Sequence, residues 1–288
     1  LLDVTQPLTE TTRDKITKAG GERIQVRVQP RYEQKRIACI LDAADALRAK
    51  RRETLAQLDA LLQSTFLDMF GDPVTNPMGW EINSLGDICI GKPAYGSSSA
   101  ACDYDPFLPR YVRITDVDDS GELSNKPMSV RLGKNDIKKF KLNEGDILFA
   151  RSGATVGKTY LHRKKNGFCI YAGYMIRFVP NPAKLIPETL FHFTKTSAYW
   201  RWVHSQARAV AQPNINAKIY SNMPIPIPSI SLQHHFATIV ESVEKQKTRC
   251  RAYLVELDVL FASLQQRAFN GDLSRHEQLR LSPRWLQG

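Results

Sequence analysis

No stretch of about 18 apolar residues occurs anywhere in the 288-residue chain, so a membrane-spanning helix is not expected. The opening Leu1 to Gly20 has neither an apolar core nor a cleavage pattern of the secretory kind, and reads instead as a polar tail. The five cysteines, Cys39, Cys89, Cys102, Cys169 and Cys250, include no CxxC pair, and their odd number suits a reducing compartment better than a disulfide framework. The expectation is a soluble, cytoplasmic protein with no membrane partner. Zinc-ligand spacing is missing as well, because His234 and His235 are adjacent and the other histidines are scattered. Asp116, Asp118 and Asp119 lack the rest of a calcium ligand set. Gly153 to Thr159 fails as a phosphate-binding loop, since only Ala154, Thr155 and Val156 separate its first glycine from Gly157-Lys158, where four residues are needed. There is no Asn-Pro-Pro-Tyr stretch for amine methylation. The sequence therefore offers no catalytic, metal or cofactor site of its own.

Acidic residues are also in deficit. Forty Lys plus Arg face 29 Asp plus Glu, a net charge of +11, which favours a polyanionic partner. Residues 81 to 230 hold 20 Lys plus Arg and 12 Asp plus Glu, so the excess is concentrated in the middle of the chain.

What the chain does contain is a duplication. Gln34 to Phe70 and Gln233 to Phe269 align without a gap at an offset of 199 residues, with ten of 37 positions identical, among them Leu55, Leu58, Asp59, Leu61 and Ser64. At the same offset Val26 and Val28 match Ile225 and Ile227, so each copy is approached by a short strand-like stretch. In the second copy Phe236, Val240, Val243, Lys247, Cys250, Leu254, Leu257, Phe261, Leu264 and Ala268 alternate steps of four and three. The first copy repeats the pattern at Ile37, Leu41, Ala44, Arg48, Arg51, Leu55, Leu58, Leu62, Thr65 and Met69. Such a period predicts two helices, each about 55 Å long at roughly 1.5 Å per residue, packed along a common seam. Gly71 with Pro73, and Asn270 with Gly271, supply the stop signals. An antiparallel pair puts Phe70 and Leu232 at one end, so that the intervening segment can be a compact domain with adjacent termini. A lone heptad helix is ordinarily a generic dimerisation element. Duplication adds the prospect of a pseudo-twofold that presents equivalent surfaces to two partner copies. The polar breaks Arg48, Arg51 and Lys247 either set the register or face acidic groups on a partner.

Between the copies the pattern changes to short strands at 111–114, 146–150, 168–170 and 175–179, with helical periodicity over 187–203. The fold class expected is α+β: a mixed domain inserted between two long antiparallel coiled-coil helices. The divisions are a tail at 1–23, a strand and helix at 24–72, the central domain at 73–230, the second helix at 231–273 and a tail at 274–288.

Basic residues alone bind phosphate without regard to sequence; discrimination needs Arg on guanine and Asn or Gln on adenine. The candidate DNA contacts are Tyr95, Arg113, Arg151, Ser152, Lys158, Arg163, Lys164, Lys165, Gln212, Asn214 and Asn216. Of these, Arg163 to Lys165 form a basic turn suited to phosphate. The competing role for Asn214 and Asn216, in a Pro-flanked loop, is to satisfy backbone groups. Gly153 and Gly157 are expected to permit a tight turn between strands, with Lys158 reaching outward.

In order along the chain, Glu33-Gln34-Lys35-Arg36-Ile37-Ala38, Phe66 to Asp72, Gly79-Trp80, Asp146-Ile147-Leu148 before Arg151-Ser152-Gly153, and Ile225-Pro226-Ile227-Pro228 followed by Gln233 resemble the specificity subunit of type I restriction-modification systems. That resemblance covers about residues 24 to 273. It implies a non-catalytic subunit whose target recognition domain reads half of a split site on double-stranded DNA. It also implies conserved helices that set the spacing and hold methyltransferase (M) subunits, which carry S-adenosylmethionine, with a motor-nuclease (R) subunit joining for cleavage. No cofactor is expected on this chain itself. The family pattern of domain, helix, domain, helix is here helix, domain, helix. The expectations are a first domain lost ahead of residue 24, or a truncated form that reads one half-site and pairs with another chain, a homodimer among the options. The alternatives are a coiled-coil assembly protein whose basic domain binds another protein or RNA, and a nuclease, the latter disfavoured by the lack of an acidic metal site.

Overall fold

The structure, a computed structural model, describes residues 30–118, 120–207 and 214–273. The approach stretch around Val26 and Val28, both terminal tails and Gln212 lie outside the described residues. In chain order the elements are α1 (Arg31–Phe70), β1 (Glu81–Ser84), β2 (Ala94–Tyr95), β3 (Ala101–Cys102), β4 (Arg110–Val112), β5 (Ser129–Val130), α2 (Lys134–Phe140), β6 (Ile147–Ala150), β7 (Thr159–Leu161), β8 (Cys169–Tyr171), β9 (Met175–Phe178), α3 (Pro187–Phe193), α4 (Ser197–Ala207), α5 (Ala217–Ser221), β10 (Pro224–Ile227) and α6 (Ile230–Asn270). No helix of the described residues is long and apolar enough to cross a membrane. The chain divides into two compact units, Thr54–Cys250 and the remainder, Leu1–Glu53 with Arg251–Gly288.

In the larger unit two four-stranded sheets, ordered β2-β9-β6-β7 and β3-β5-β4-β8, are antiparallel throughout except for the parallel pair β4·β8. A separate two-stranded ribbon pairs β1 with β10, Glu81 opposite Ile227 and Ser84 opposite Pro224, and so ties the start of the central domain to its exit. β6 is buried at all four positions and bridges β7 and β9. On one side Ile147 and Phe149 join the cluster containing Phe178, Tyr199 and Tyr220, and on the other Leu148 meets Tyr160, Ile170 and Tyr171. Each such side chain contributes roughly 1.5 to 3 kcal/mol by leaving water.

The first of these clusters extends onto the helices. Phe66, Phe70 and Phe236 form an edge-to-face triangle with centroids 4.8 to 5.5 Å apart, and Leu62, Val240 and Val243 continue it. Gln233, fully buried, accepts from Ile186 N–H at 2.8 Å and donates to Lys184 and Pro228 carbonyls at 3.0 and 2.8 Å, satisfying backbone groups where α6 leaves the domain. Farther along, Lys247 Nζ lies 2.7 Å from both Asp59 and Glu244. Phe66 beside Phe236 and Asp59 beside Lys247 make the helices antiparallel here.

The smaller unit repeats the arrangement with the copies exchanged. Arg48 reaches Asp258 at 2.6 Å and Asp45 at 2.8 Å, and its guanidinium lies 4.3 Å above the Phe261 ring. Arg36 bonds to the carbonyl of Leu273, again antiparallel. Arg48, Asp45 and Asp258 are the positions that an offset of 199 turns into Lys247, Glu244 and, in the reverse sense, Asp59. The duplicated residues thus build the same charged triad twice, once in each unit.

Three sequence expectations shift in detail; in the first, the strand expected at 111–114 runs from Arg110 to Val112, and Ile114 to Asp116 form a 3-10 turn in which Asp116 takes the Arg113 side chain. The helical segment at 187–203 is two helices, interrupted where the Thr194 and Thr196 hydroxyls donate to the Phe191 and Phe193 carbonyls, each at 2.7 Å, and the Lys195 and Thr196 N–H groups turn to the His192 and Phe193 carbonyls three residues back. The strand expected at 168–170 runs from Cys169 to Tyr171, because Phe168 is half-exposed while the next three residues are buried.

Candidate nucleic-acid interface

The turn after β6 shows why the glycines are there. Gly153 and Gly157 adopt φ of +77° and +88°, values that only glycine takes without strain. The chain reverses between them, and Arg151 emerges with both backbone groups occupied: its N–H donates to Tyr174 at 3.0 Å and its carbonyl accepts from Ile215 at 2.8 Å. Ser152 forms an isolated antiparallel bridge with Asn214. Lys158, at the far end of the turn, is half-buried.

Arg151 lines a cleft of about 560 Å³ together with Ser97, Ser98, Ser99, Tyr111, Arg113 and Tyr174. Tyr111 forms part of its wall: its hydroxyl donates to the Ser97 and Ser99 carbonyls at 2.8 and 3.0 Å, and burial pushes its pKa up. The two arginines differ. Arg113 gives its fork to Asp116, Nε at 2.9 Å and Nη2 at 2.7 Å, and that hydrogen bonding raises its pKa. Arg151 lies 5.0 Å above the ring of Tyr95, and among the described residues its guanidinium makes no hydrogen bond or ion pair. Tyr95 is fixed in turn, by pairing with Ile176 in the sheet and by the Ala217 N–H, which donates to its hydroxyl at 3.2 Å.

The remaining candidates are dispersed. Asn216 caps α5, its side chain accepting from Ile219 N–H at 3.0 Å, the backbone role the sequence had set against base reading. Asn214 is exposed beside it. Arg163 and Lys165 both pair with Glu122, at 3.3 and 3.0 Å, and Lys164 is exposed; none of the three lines the cleft. Of the partner candidates, Lys247 is 2% exposed with its charge turned to carboxylates of its own chain. Arg48 does likewise with Asp258, and Arg51 is exposed, 5.3 Å over Tyr253. Sequence reasoning missed Tyr174, 70% exposed at the cleft mouth, and the run Ser97 to Ser99. The one signal for Tyr174 was its place after Gly173 between two strands. Among the described residues no group of three His, Cys, Asp or Glu is placed to hold a metal ion.

The stretch that builds the cleft, the sheets and part of α6 is matched as a unit: residues 77–252 fit the family model described as type I restriction modification DNA specificity domain. The chain belongs to that family. Among curated relatives of the specificity-domain family, the chain is 23% identical to the type I restriction enzyme MjaVIII specificity subunit of Methanocaldococcus jannaschii, over 76% of this chain and 48% of that one. It is 27% identical to the EcoBI specificity subunit of Escherichia coli, over 57% of this chain and 35% of that one. The chain thus spans about half the length, or less, of the curated relatives it matches. A crystal structure of a type I restriction-modification S subunit from M. genitalium superposes with a TM-score of 0.57 at 14% identity, covering 90% of this chain and 67% of that one, a likeness of fold.

Proposed function

We propose that this chain is the DNA-reading component of a type I restriction-modification system: its central domain recognises one half-site on double-stranded DNA and its paired helices hold methyltransferase subunits. The observation that carries the reading is the cleft in which Arg151 is presented on an aromatic face beside Arg113, Tyr174 and a serine run, within a domain that matches the specificity-domain family. Cation, aromatic and hydroxyl groups on one concave surface suit phosphate and base-edge contacts together. Catalysis is assigned to the partners. S-adenosylmethionine belongs on the methyltransferase, and a motor-nuclease subunit would join for cleavage. The described residues hold one recognition domain, and reading a split site needs a second such domain beside it. A coiled-coil assembly protein is not favoured, because the family match covers the basic domain itself.

Purified chain, alone and with its methyltransferase, is titrated against a pool of random duplexes at moderate salt. Enrichment of one short motif is expected; equal affinity for every sequence would contradict the proposal.

A further inference from the structure

The cleft contains two arginines whose guanidinium groups stand in opposite chemical states. Arg113 has its paired N–H groups on both oxygens of Asp116, a carboxylate that is itself buried. A base edge would have to displace a charge-assisted bidentate pair to use them. Arg151 has no competing carboxylate among the described residues. Its guanidinium lies over the Tyr95 ring, and a contact to a ring face leaves the in-plane edge, where the paired N–H donors are, unused.

Its position is also fixed from below. The Arg151 backbone is bonded on one side to Tyr174 and on the other to Ile215. Tyr95 is held at its backbone by β9 and at its hydroxyl by Ala217, directly after the Asn216 cap. The held backbone and the ring beneath the guanidinium reduce the side-chain entropy lost when such a group meets a ligand. Besides the Tyr95 ring beneath it, the cleft around Arg151 is lined by Tyr111, Tyr174 and the serines at 97 to 99, and by Arg113, whose charge is met by Asp116. A phosphate site would gather free cations around the group; Arg113 is committed to Asp116, and Lys164 and Lys165 are not among the residues that line the cleft.

We propose that Arg151, braced on Tyr95, is the base-reading arginine of this domain and takes the O6 and N7 edge of a guanine in the major groove, while Arg113 positions the cleft wall through Asp116. The assignment rests on the DNA-recognition reading above and adds to it one required G·C pair in the recognised half-site. The serine hydroxyls and Tyr174 border the same edge.

The test uses the full chain with its methyltransferase and the random-duplex pool, comparing wild type with Arg151→Ala, Arg151→Lys and Tyr95→Leu. Wild type should enrich a motif with one invariant G·C pair. Arg151→Ala should lose roughly 10- to 100-fold in affinity for that motif and become indifferent at that position alone, with the salt dependence of binding to mismatched duplexes unchanged. Arg151→Lys, which keeps the charge and is compatible with the fold, should relax the same position, and Tyr95→Leu should do so partially. A loss that is uniform over all sequences, with a shallower salt slope, would make Arg151 a phosphate contact and overturn the assignment. So would a wild-type motif with no invariant G·C pair, although DNA recognition would then still stand. No motif at all in wild type would instead remove the DNA-recognition reading on which the assignment rests.

Discussion

Lys247 Nζ sits 2.7 Å from Asp59 across the helix pair, with Glu244 at the same distance, and the lysine is almost fully buried. Its duplicate, Arg48 with Asp258 and Asp45, is more open, with 19% of the arginine side chain exposed. A charged group placed in a largely apolar seam destabilises other alignments of the helices, since a slip of one turn would take the lysine away from Asp59, its partner on the facing helix. The repeated triad therefore fixes one register in each unit.

Removing the buried member should cost more than removing the exposed one. Lys247→Ala leaves Glu244 half-buried without its lysine and opens a cavity, so a loss of about 2 to 4 kcal/mol is expected. Arg48→Ala should cost about 1 kcal/mol. Urea unfolding followed by circular dichroism measures both, and equal losses would contradict the register argument.

Gln233 satisfies three backbone groups from a fully buried position. Gln233→Leu has similar bulk but strands the Ile186 N–H and two carbonyls, for an expected cost of about 2 to 4 kcal/mol. Hydrogen exchange at Ile186 should quicken in the variant. An unchanged rate would show that the amide is satisfied some other way.

The two glycines of the β6–β7 turn should differ. Both have positive φ, but a Cβ at Gly157 would meet Val203 Cγ1 at 2.7 Å, while one at Gly153 meets nothing within 4 Å. Gly153→Ala should cost about 1 kcal/mol from backbone strain, and Gly157→Ala about 2 kcal/mol more from the clash. Their melting temperatures should fall in that order.

Burial lowers the pKa of His192 to about 3, with Arg163, Lys247 and Lys195 adding to desolvation and Glu244 opposing it. In the unfolded chain the imidazole titrates near 6.5. Its contribution to stability is therefore complete above about pH 6.5 and is lost progressively as the pH falls toward 3, because only the unfolded state takes up the proton. Between pH 8 and pH 5 this amounts to on the order of 2 kcal/mol. His192→Phe, which keeps a ring against Phe191 and Phe236, should flatten the profile over that range. Parallel profiles for the two proteins would show that His192 is not held neutral.

The paired helices were legible in the sequence because a seam is a local, periodic property. Phe236, Val240, Val243 and Ala268 are buried where the heptad put them. The type of the polar breaks was legible too, but their role was not. Which carboxylate meets Lys247 depends on a residue 188 positions earlier, and only the duplication, read at its offset, pairs Lys247 with Asp59 as it pairs Arg48 with Asp258. The cleft was least legible. Tyr95, the serines, Arg113, Arg151 and Tyr174 come from separate segments, brought together by β2 pairing with β9 and β4 with β8, and short strands carry little register information of their own. Arg113 and Arg151 look alike in sequence, and only the neighbouring Asp116 and Tyr95 separate them.

In the proposed function this chain selects DNA by sequence for methylation. The most direct measurement of that selection is a genome-wide map of methylated bases in source cells with and without the gene. One recurrent motif should be methylated only when the gene is present; a methylation map unchanged by its deletion would contradict the account.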